Sequence, residues 1–159
     1  KLMNFTFDID LVQRLIDDHS DNIIGCKDSS SSVWDKMKFP SSFSMFVGSE
    51  IQLLKNLELG GAGVISATTN VTHSIAREVF DNFKNKKIDN RLFEKLCAIR
   101  RAYDDSGNLI TALHYFLSLS NKRYKNLLPP LTPLNHEKQK ELLDKLKELD
   151  FFPEKNKAA

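Results

Sequence analysis

Short apolar runs alternate with stretches of helical periodicity in the first half of the chain. Three runs have the length of a strand and are bounded by polar residues or glycines: residues 22–27, 43–47 and 63–66. Four segments around them carry apolar residues at helical spacing: 8–20, 31–38, 51–57 and 75–83. This alternation is typical of βα units around a parallel sheet. The third strand is so short and apolar that we expect it to lie away from a sheet edge.

The second half of the chain is predicted to be helical. Apolar spacing indicates three further helices, around residues 92–99, 109–117 and 137–149. Residues 127–133, Leu-Leu-Pro-Pro-Leu-Thr-Pro, separate the last two as an extended connector, because proline interrupts helices. Asn135 is expected to cap the final helix. We therefore expect two parts, residues 1–87 with the strands and residues 88–159 as a helical extension.

The composition is that of a globular protein with nearly balanced charge. The 159 residues are 41% hydrophobic and 28% charged, with a net charge of +2. Without a basic stripe there is no electrostatic case for nucleic acid or an anionic membrane as partner. No apolar run approaches the roughly 20 residues of a membrane-spanning helix. Cys26 and Cys97 fit neither a zinc nor a disulfide pattern, so we expect reduced thiols in a cytoplasmic protein.

The first apolar run ends on a lysine, which is the candidate for chemistry. Residues 23–30, Ile-Ile-Gly-Cys-Lys-Asp-Ser-Ser, place Lys27 where a barrel strand delivers its last side chain to an active site. Desolvation there favours the neutral amine, which attacks a carbonyl to form a Schiff base. The alternative is an ordinary solvated lysine after a strand. By strand alternation Cys26 is expected to face the helices, away from Lys27, and to be inert.

Four motifs follow one another in a recognisable order. They are Gly-Cys-Lys-Asp-Ser-Ser at 25–30, Gly-Ser-Glu at 48–50, Leu-Gly-Gly-Ala-Gly-Val-Ile-Ser at 59–66 with Asn70, and Leu-Pro-Pro-Leu-Thr-Pro-Leu at 128–134. Together they resemble the dihydrodipicolinate synthase / N-acetylneuraminate lyase family, pyruvate-handling class I aldolases on a (β/α)8 TIM barrel. The resemblance extends over essentially the whole chain. It implies an α/β fold in which this chain covers about strands six to eight and the C-terminal helices.

The resemblance implies a role for each matching residue. Lys27 matches the lysine that forms the imine with pyruvate at the end of strand six. Gly48, Ser49 and Glu50 match the loop after strand seven, which touches hydroxyls of the acceptor part in sugar-acid members. Ile65 matches a residue whose backbone carbonyl lies beside the bound keto acid. For Glu50 an ordinary role as an acid in the first turn of a helix is equally open.

Two departures from the family pattern bear on the substrate. Synthases that use aspartate semialdehyde carry an arginine shortly after the fifth strand, where this sequence has Leu2. Sialic acid lyases usually have a second acid after the position of Glu50, where this sequence has Ile51. The resemblance therefore implies an aldolase or lyase of a 2-keto-3-deoxy sugar acid, with pyruvate and an aldehyde as its small-molecule partners. The covalent imine takes the place of a cofactor, and no metal is expected.

Other interpretations remain open at this point. A 4-hydroxy-tetrahydrodipicolinate synthase is the alternative enzyme, and an inactive fragment or interaction module of the family is the alternative from another class. The chain begins in mid-pattern without Met, as if it were part of a larger fold. The family's carboxylate-binding Thr-Thr pair and proton-relay Tyr belong to the earlier half and have no counterpart here. Members build subunit contacts from the helices that match residues after Ile88, which implies a homo-oligomer, a tetramer.

The remaining chemistry-bearing residues are interpreted as structural. Gly60 and Gly61 end a helix and turn the chain into the third strand, and the Gly-rich stretch lacks the GK[ST] of a phosphate-binding P-loop. Three histidines are expected at the surface or at helix ends: His19, His114 and His136.

Overall fold

The computed structural model describes residues 7–30, 34–36 and 38–153. The described residues divide into two compact units, one within Lys1–Ser66 and Phe80–Lys87 and the other within Ala67–Val79 and Ile88–Ala159. The division between residues 87 and 88 stays a prediction. None of the helices in the described part of the chain has the length and apolar character that a membrane span needs.

A three-stranded parallel sheet organises the first unit and confirms the predicted α/β class. Its strands are β1 (Gly25–Asp28), β2 (Ser44–Val47) and β3 (Gly63–Val64), hydrogen-bonded in the order β1-β2-β3. The expectation that the third strand avoids an edge is wrong for the described residues, since β3 pairs with β2 alone and β2 is central. An apolar sequence indicates that the two faces of a strand are buried, but it does not indicate whether the strand has neighbours on one side or on both.

The two faces of this sheet differ in character. The register pairs Cys26 with Met45 and Lys27 with Phe46, and paired residues of neighbouring parallel strands share a face. Cys26 and Met45 belong to the covered face, where they pack with an apolar cluster that includes Ile16 and Val47. Lys27 lies on the opposite face and is exposed. The prediction that Cys26 points away from Lys27 is therefore confirmed.

Three helical segments of the first unit start and stop at residues suited to those positions. Helix α1 (Ile9–Asp18) begins after Asp8, whose carboxylate accepts a hydrogen bond from the Leu11 N–H at 2.7 Å. A 3-10 helix, Glu50–Gln52, leads into α2 (Leu53–Glu58). Gly60 then takes a φ of +85°, the left-handed conformation common after a helix end. Of the predicted helix 31–38 only residues 34–36 and 38 are described, and residues 34–36 form a turn.

The second unit is helical, as the periodicity predicts. It contains most of α3 (Thr69–Lys84), followed by α4 (Asn90–Asp104), α5 (Leu109–Ser118), a 3-10 helix (Lys122–Lys125) and α6 (His136–Glu148). Asn135 caps α6 by accepting the Lys138 N–H at 2.8 Å, which confirms its predicted role. The core of the unit is made of apolar side chains from α4, α5 and α6, among them Ile99, Phe116, Leu142 and Leu146. The 3-10 helix is the element that the sequence pattern did not predict.

A buried asparagine joins β2 to the turn that leads into β3. Asn56 is 1% exposed, and its Nδ2 donates to the carbonyl oxygens of Met45 at 3.2 Å and of Gly63 at 2.9 Å. The Gly61 N–H donates to the backbone carbonyl of Asn56 at 2.7 Å. A Cβ at position 61 would lie 2.1 Å from the Asn56 Oδ1, so this close approach requires glycine. The close approach to Asn56 therefore supports a structural role for Gly61, and the left-handed φ supports one for Gly60.

Candidate active site

The predicted site residues lie at one edge of the parallel sheet, because the carboxyl ends of parallel strands meet there. Lys27 is on β1, residues 48–50 directly follow β2, and Ile65 directly follows β3. Backbone bonds hold these ends together: the Gly48 N–H donates to the Asp28 carbonyl and the Ile65 N–H to the Val47 carbonyl, each at 3.0 Å. Candidates that are up to 38 positions apart in sequence therefore share one edge.

Lys27 occupies the third of four residues in β1, one position before the strand ends. Its side chain is exposed, and no hydrogen bond or ion pair of Lys27 occurs within residues 7–30, 34–36 and 38–153. The strand carrying it lies at an edge of the sheet, so solvent reaches the amine. The desolvation expected of an imine-forming amine is therefore not supplied by the described residues.

Asp28 fixes the backbone that follows Lys27. Its carboxylate is buried and accepts hydrogen bonds from the Ser30 N–H at 2.7 Å, the Ser30 Oγ at 2.6 Å and the Trp34 N–H at 3.1 Å. The pKa of the Cys26 thiol is raised, mainly by burial and in addition by the negative charge of the Asp28 carboxylate. A raised pKa disfavours the thiolate, which agrees with the inert thiol that strand alternation predicts.

Gly48 begins the loop after β2 at a point of close backbone approach. A Cβ at this position would lie 2.8 Å from the Ser29 Oγ and 2.9 Å from the Ser29 Cα. The absence of a side chain thus lets the loop after β2 lie directly against the loop after β1. Ser49 follows and accepts a hydrogen bond from the Ile51 N–H at 3.4 Å, so it caps the 3-10 helix.

Glu50 is a buried acid at the carboxyl ends of the strands. Its exposed fraction is 0%, and its Oε2 accepts a hydrogen bond from the Ser66 Oγ at 2.7 Å. Ser66 lies two residues after β3, so the contact ties the loop after β2 to the chain that leaves β3. Glu50 also opens the 3-10 helix, where backbone N–H groups favour an acid. The structural role of Glu50 has support in this contact, while its role as a substrate ligand stays a prediction.

Ser66 was not selected from the sequence as a site residue, although it belongs to the quoted motif at residues 59–66. The available signal was its place just beyond the end of an apolar strand, where parallel-sheet proteins hold polar side chains. What the sequence could not give was its partner, since Glu50 lies 16 residues earlier.

Replacement of Ser66 by alanine is expected to destabilise the protein by about 1 to 2 kcal/mol, because a buried carboxylate loses a hydrogen-bond donor. Urea denaturation followed by circular dichroism measures the change. Ser42→Ala is the matched control, since Ser42 is exposed in a turn before β2. Equal free energies of unfolding for the two variants would contradict a stabilising role of the Glu50–Ser66 contact.

Ile65 directly follows β3, and 47% of its side chain is exposed. Its N–H is fixed by the Val47 carbonyl, which orients the peptide unit at the end of β3. The predicted contact between its carbonyl and a keto acid stays a prediction. Within the described residues there is no group of three or more His, Cys, Asp or Glu side chains placed to hold a metal ion.

Comparison with known proteins gives a consistent result. The model of the dihydrodipicolinate synthetase family matches residues 1–149. A 4-hydroxy-tetrahydrodipicolinate synthase from Prochlorococcus marinus (strain AS9601) is 29% identical over 139 residues, which are 84% of this chain and 45% of that protein. The chain therefore spans about half the length of the curated relatives that it matches.

Solved structures resemble the chain to a similar extent. YagE, a prophage protein of the dihydrodipicolinic acid synthase family from E. coli K12 solved in complex with pyruvate, aligns with a TM-score of 0.75 and 23% identity over 91% of this chain and 51% of its own. The N-acetylneuraminate lyase from Fusobacterium nucleatum complexed with pyruvate aligns with a TM-score of 0.76 and 18% identity, over 94% and 51%. The chain thus shares its fold with about half of each of these proteins.

Proposed function

We propose, because this chain belongs to the dihydrodipicolinate synthetase family, that it carries the imine-forming lysine of a pyruvate-dependent class I aldolase. The observation that supports this proposal most directly is the position of Lys27. It shares the carboxyl edge of a parallel sheet with the loop 48–50 and with Ile65. In barrel enzymes this edge holds the catalytic groups.

The proposed reaction begins with the Lys27 amine. Its Nζ adds to C2 of the keto acid, water leaves, and a protonated imine forms. Cleavage of the bond between C3 and C4 sends its electron pair into the iminium, while a base takes the proton of the C4 hydroxyl and an aldehyde departs. The enamine of pyruvate that remains is protonated at C3 and hydrolysed, which frees Lys27. The imine supplies the electron sink, so the proposal includes no metal and no cofactor.

The other site residues have proposed roles around this centre. Gly48, Ser49 and Glu50 bind or orient the hydroxyl-bearing part of the substrate, and the Ile65 carbonyl lies beside the keto acid. The exposed Lys27 face of the sheet needs a cover that excludes water, and the earlier half of a (β/α)8 barrel, with its Tyr and Thr-Thr pair, would provide it. In this proposal the strands β1 to β3 are strands six to eight of such a barrel. Residues 1–87 belong to it, and residues 88–159 extend it.

The proposed substrate is a 2-keto-3-deoxy sugar acid, with pyruvate and an aldehyde as products, and the proposed assembly is a homotetramer in the cytoplasm. A 4-hydroxy-tetrahydrodipicolinate synthase is the second candidate, and the synthase of Prochlorococcus marinus supports it. Against it stands Leu2 in place of an arginine, at a position outside the described residues. An inactive or purely interacting fragment is the third candidate, supported by the exposure of Lys27.

Trapping of the imine tests the proposal. The native polypeptide is incubated with pyruvate and borohydride, and its intact mass and peptides are then measured. We expect one reduced adduct on the peptide that contains Lys27, because borohydride fixes the imine as a secondary amine. Parallel assays with sugar acids and with aspartate semialdehyde separate the two enzymatic candidates. The absence of any adduct on folded protein would favour the inactive or interacting fragment.

A further inference from the structure

Positive charge is concentrated in a segment of the second unit that the proposed reaction does not use. Between residues 106 and 140 the sequence contains five basic residues: Lys122, Arg123, Lys125, Lys138 and Lys140. Glu137 is the one acidic residue in the same segment. The whole chain has a net charge of only +2, so this segment is a local excess of positive charge.

A cavity of about 630 Å³ lies in this segment. Its walls come from α5, from the 3-10 helix Lys122–Lys125, from the connector before α6 and from the first turns of α6. Four lining residues carry or can gain a positive charge: His114, Lys122, Lys125 and His136. The described lining contains neither Asp nor Glu. A volume between roughly 300 and 1,000 Å³ is usual for sites that bind small molecules.

His114 is held in a defined orientation at this cavity. Its Nδ1 lies 2.9 Å from the carbonyl oxygen of Tyr124, and the two rings meet edge to face with centroids 6.1 Å apart. Because a carbonyl oxygen only accepts, Nδ1 carries the proton, and the Nε2 becomes a donor when the ring takes up a second proton. His114 lies in the middle of α5 and is partly exposed, so of the two expected positions it takes the surface and not a helix end.

Two lysines and a tyrosine hydroxyl of the cavity are suited to binding an anion. Lys122 and Lys125 form no ion pair with an acidic side chain of the described residues, whereas Lys138 is bound to Glu141 at 2.7 Å. Burial raises the pKa of Tyr115, so its hydroxyl stays protonated and can donate at neutral pH. His136 is the first residue of α6, where the N–H groups of the helix start also favour an anion.

We propose that this cavity binds a small polyanion, bearing phosphate or several carboxylates, through Lys122 and Lys125. All residues that line the cavity belong to the second unit, whereas Lys27 belongs to the first. Titratable groups that line the cavity are His114, His136, the two lysines, Tyr115 and Tyr124.

Calorimetric titration of the whole chain tests the proposal, with inorganic pyrophosphate in one arm and citrate in the other. We expect one saturable site, and a loss of affinity of about tenfold or more in Lys122→Gln/Lys125→Gln. The matched control is Lys84→Gln/Lys87→Gln, an exposed lysine pair with the same spacing in the first unit, which is expected to bind normally. Binding in one arm only identifies the phosphate or the carboxylate class of the ligand.

Lys27→Arg is expected to bind the anions normally even if it loses the imine. Absence of saturable binding in both arms, or equal affinities for the two double variants, would overturn the proposal.

Discussion

Replacement of Lys27 by arginine is expected to lower the rate of carbon–carbon bond cleavage by about a thousandfold or more, since the covalent intermediate can no longer form. The guanidinium of arginine keeps its proton at neutral pH and is not a nucleophile, although its size and charge resemble those of lysine. The side chain of Lys27 is exposed and makes no hydrogen bond or ion pair with a described residue, so the variant is expected to fold. Pyruvate release from a 2-keto-3-deoxy sugar acid, measured on the native polypeptide, gives the rate.

Lys87→Arg is the matched control for this substitution. Lys87 is an exposed lysine of the same unit and lies outside the candidate site, so its replacement is expected to leave both turnover and the borohydride adduct unchanged. Thermal unfolding of both variants shows whether the fold is preserved. A Lys27→Arg protein that still cleaves the substrate and still forms an adduct would mean that another amine carries the imine.

Replacement of Asn56 by alanine is expected to destabilise the protein by about 2 to 4 kcal/mol, because two buried carbonyl oxygens lose their shared donor. These are the carbonyls of Met45 and Gly63, which Asn56 Nδ2 approaches at 3.2 and 2.9 Å. Urea denaturation measures the free energy of unfolding. Asn85→Ala is the control, since Asn85 is exposed just after α3 and its replacement is expected to cost less than about 0.5 kcal/mol. If Asn56→Ala destabilises the protein no more than the control does, the two hydrogen bonds of the Asn56 amide do not stabilise the fold as expected.

The close approach of Gly61 to the same side chain allows a sharper test by a double-mutant cycle. Gly61→Ala alone is expected to be destabilising, because the new Cβ would lie 2.1 Å from the Asn56 Oδ1. In the Asn56→Ala background the clashing amide is gone, so the same substitution is expected to cost less. Strictly additive costs would show that Asn56 is not the obstacle at position 61.

Much of the local structure follows from the sequence, because it depends on residues a few positions apart. The helical periods of α3 to α6 are repeats of three and four residues, and the caps Asp8 and Asn135 bond to N–H groups three residues later. The parallel α/β class follows from the order of such segments. The 3-10 helix at residues 122–125 lacks an apolar period and was therefore missed.

The motifs around Lys27, Gly48 and Ile65 were also readable in sequence, since their order along the chain carries the family resemblance. Their meeting at one edge follows from the rule that parallel strands end together. The sequence pattern predicted a desolvated amine, but the side chain of Lys27 is exposed. Burial depends on what covers a strand, and β1 lies at an edge of the described sheet.

The sequence by itself thus determined the class of fold, most of the helices, the caps Asp8 and Asn135, and the candidate lysine. Only the tertiary structure decided which polar groups meet: Glu50 with Ser66, Asn56 with one carbonyl of β2 and one of β3, and His114 with the Tyr124 carbonyl. Periodicity and capping act within a helical turn, whereas these partners lie 7 to 16 residues apart. Their contacts exist only where the path of the chain brings them together, and burial makes the contacts of Glu50 and Asn56 costly to lose.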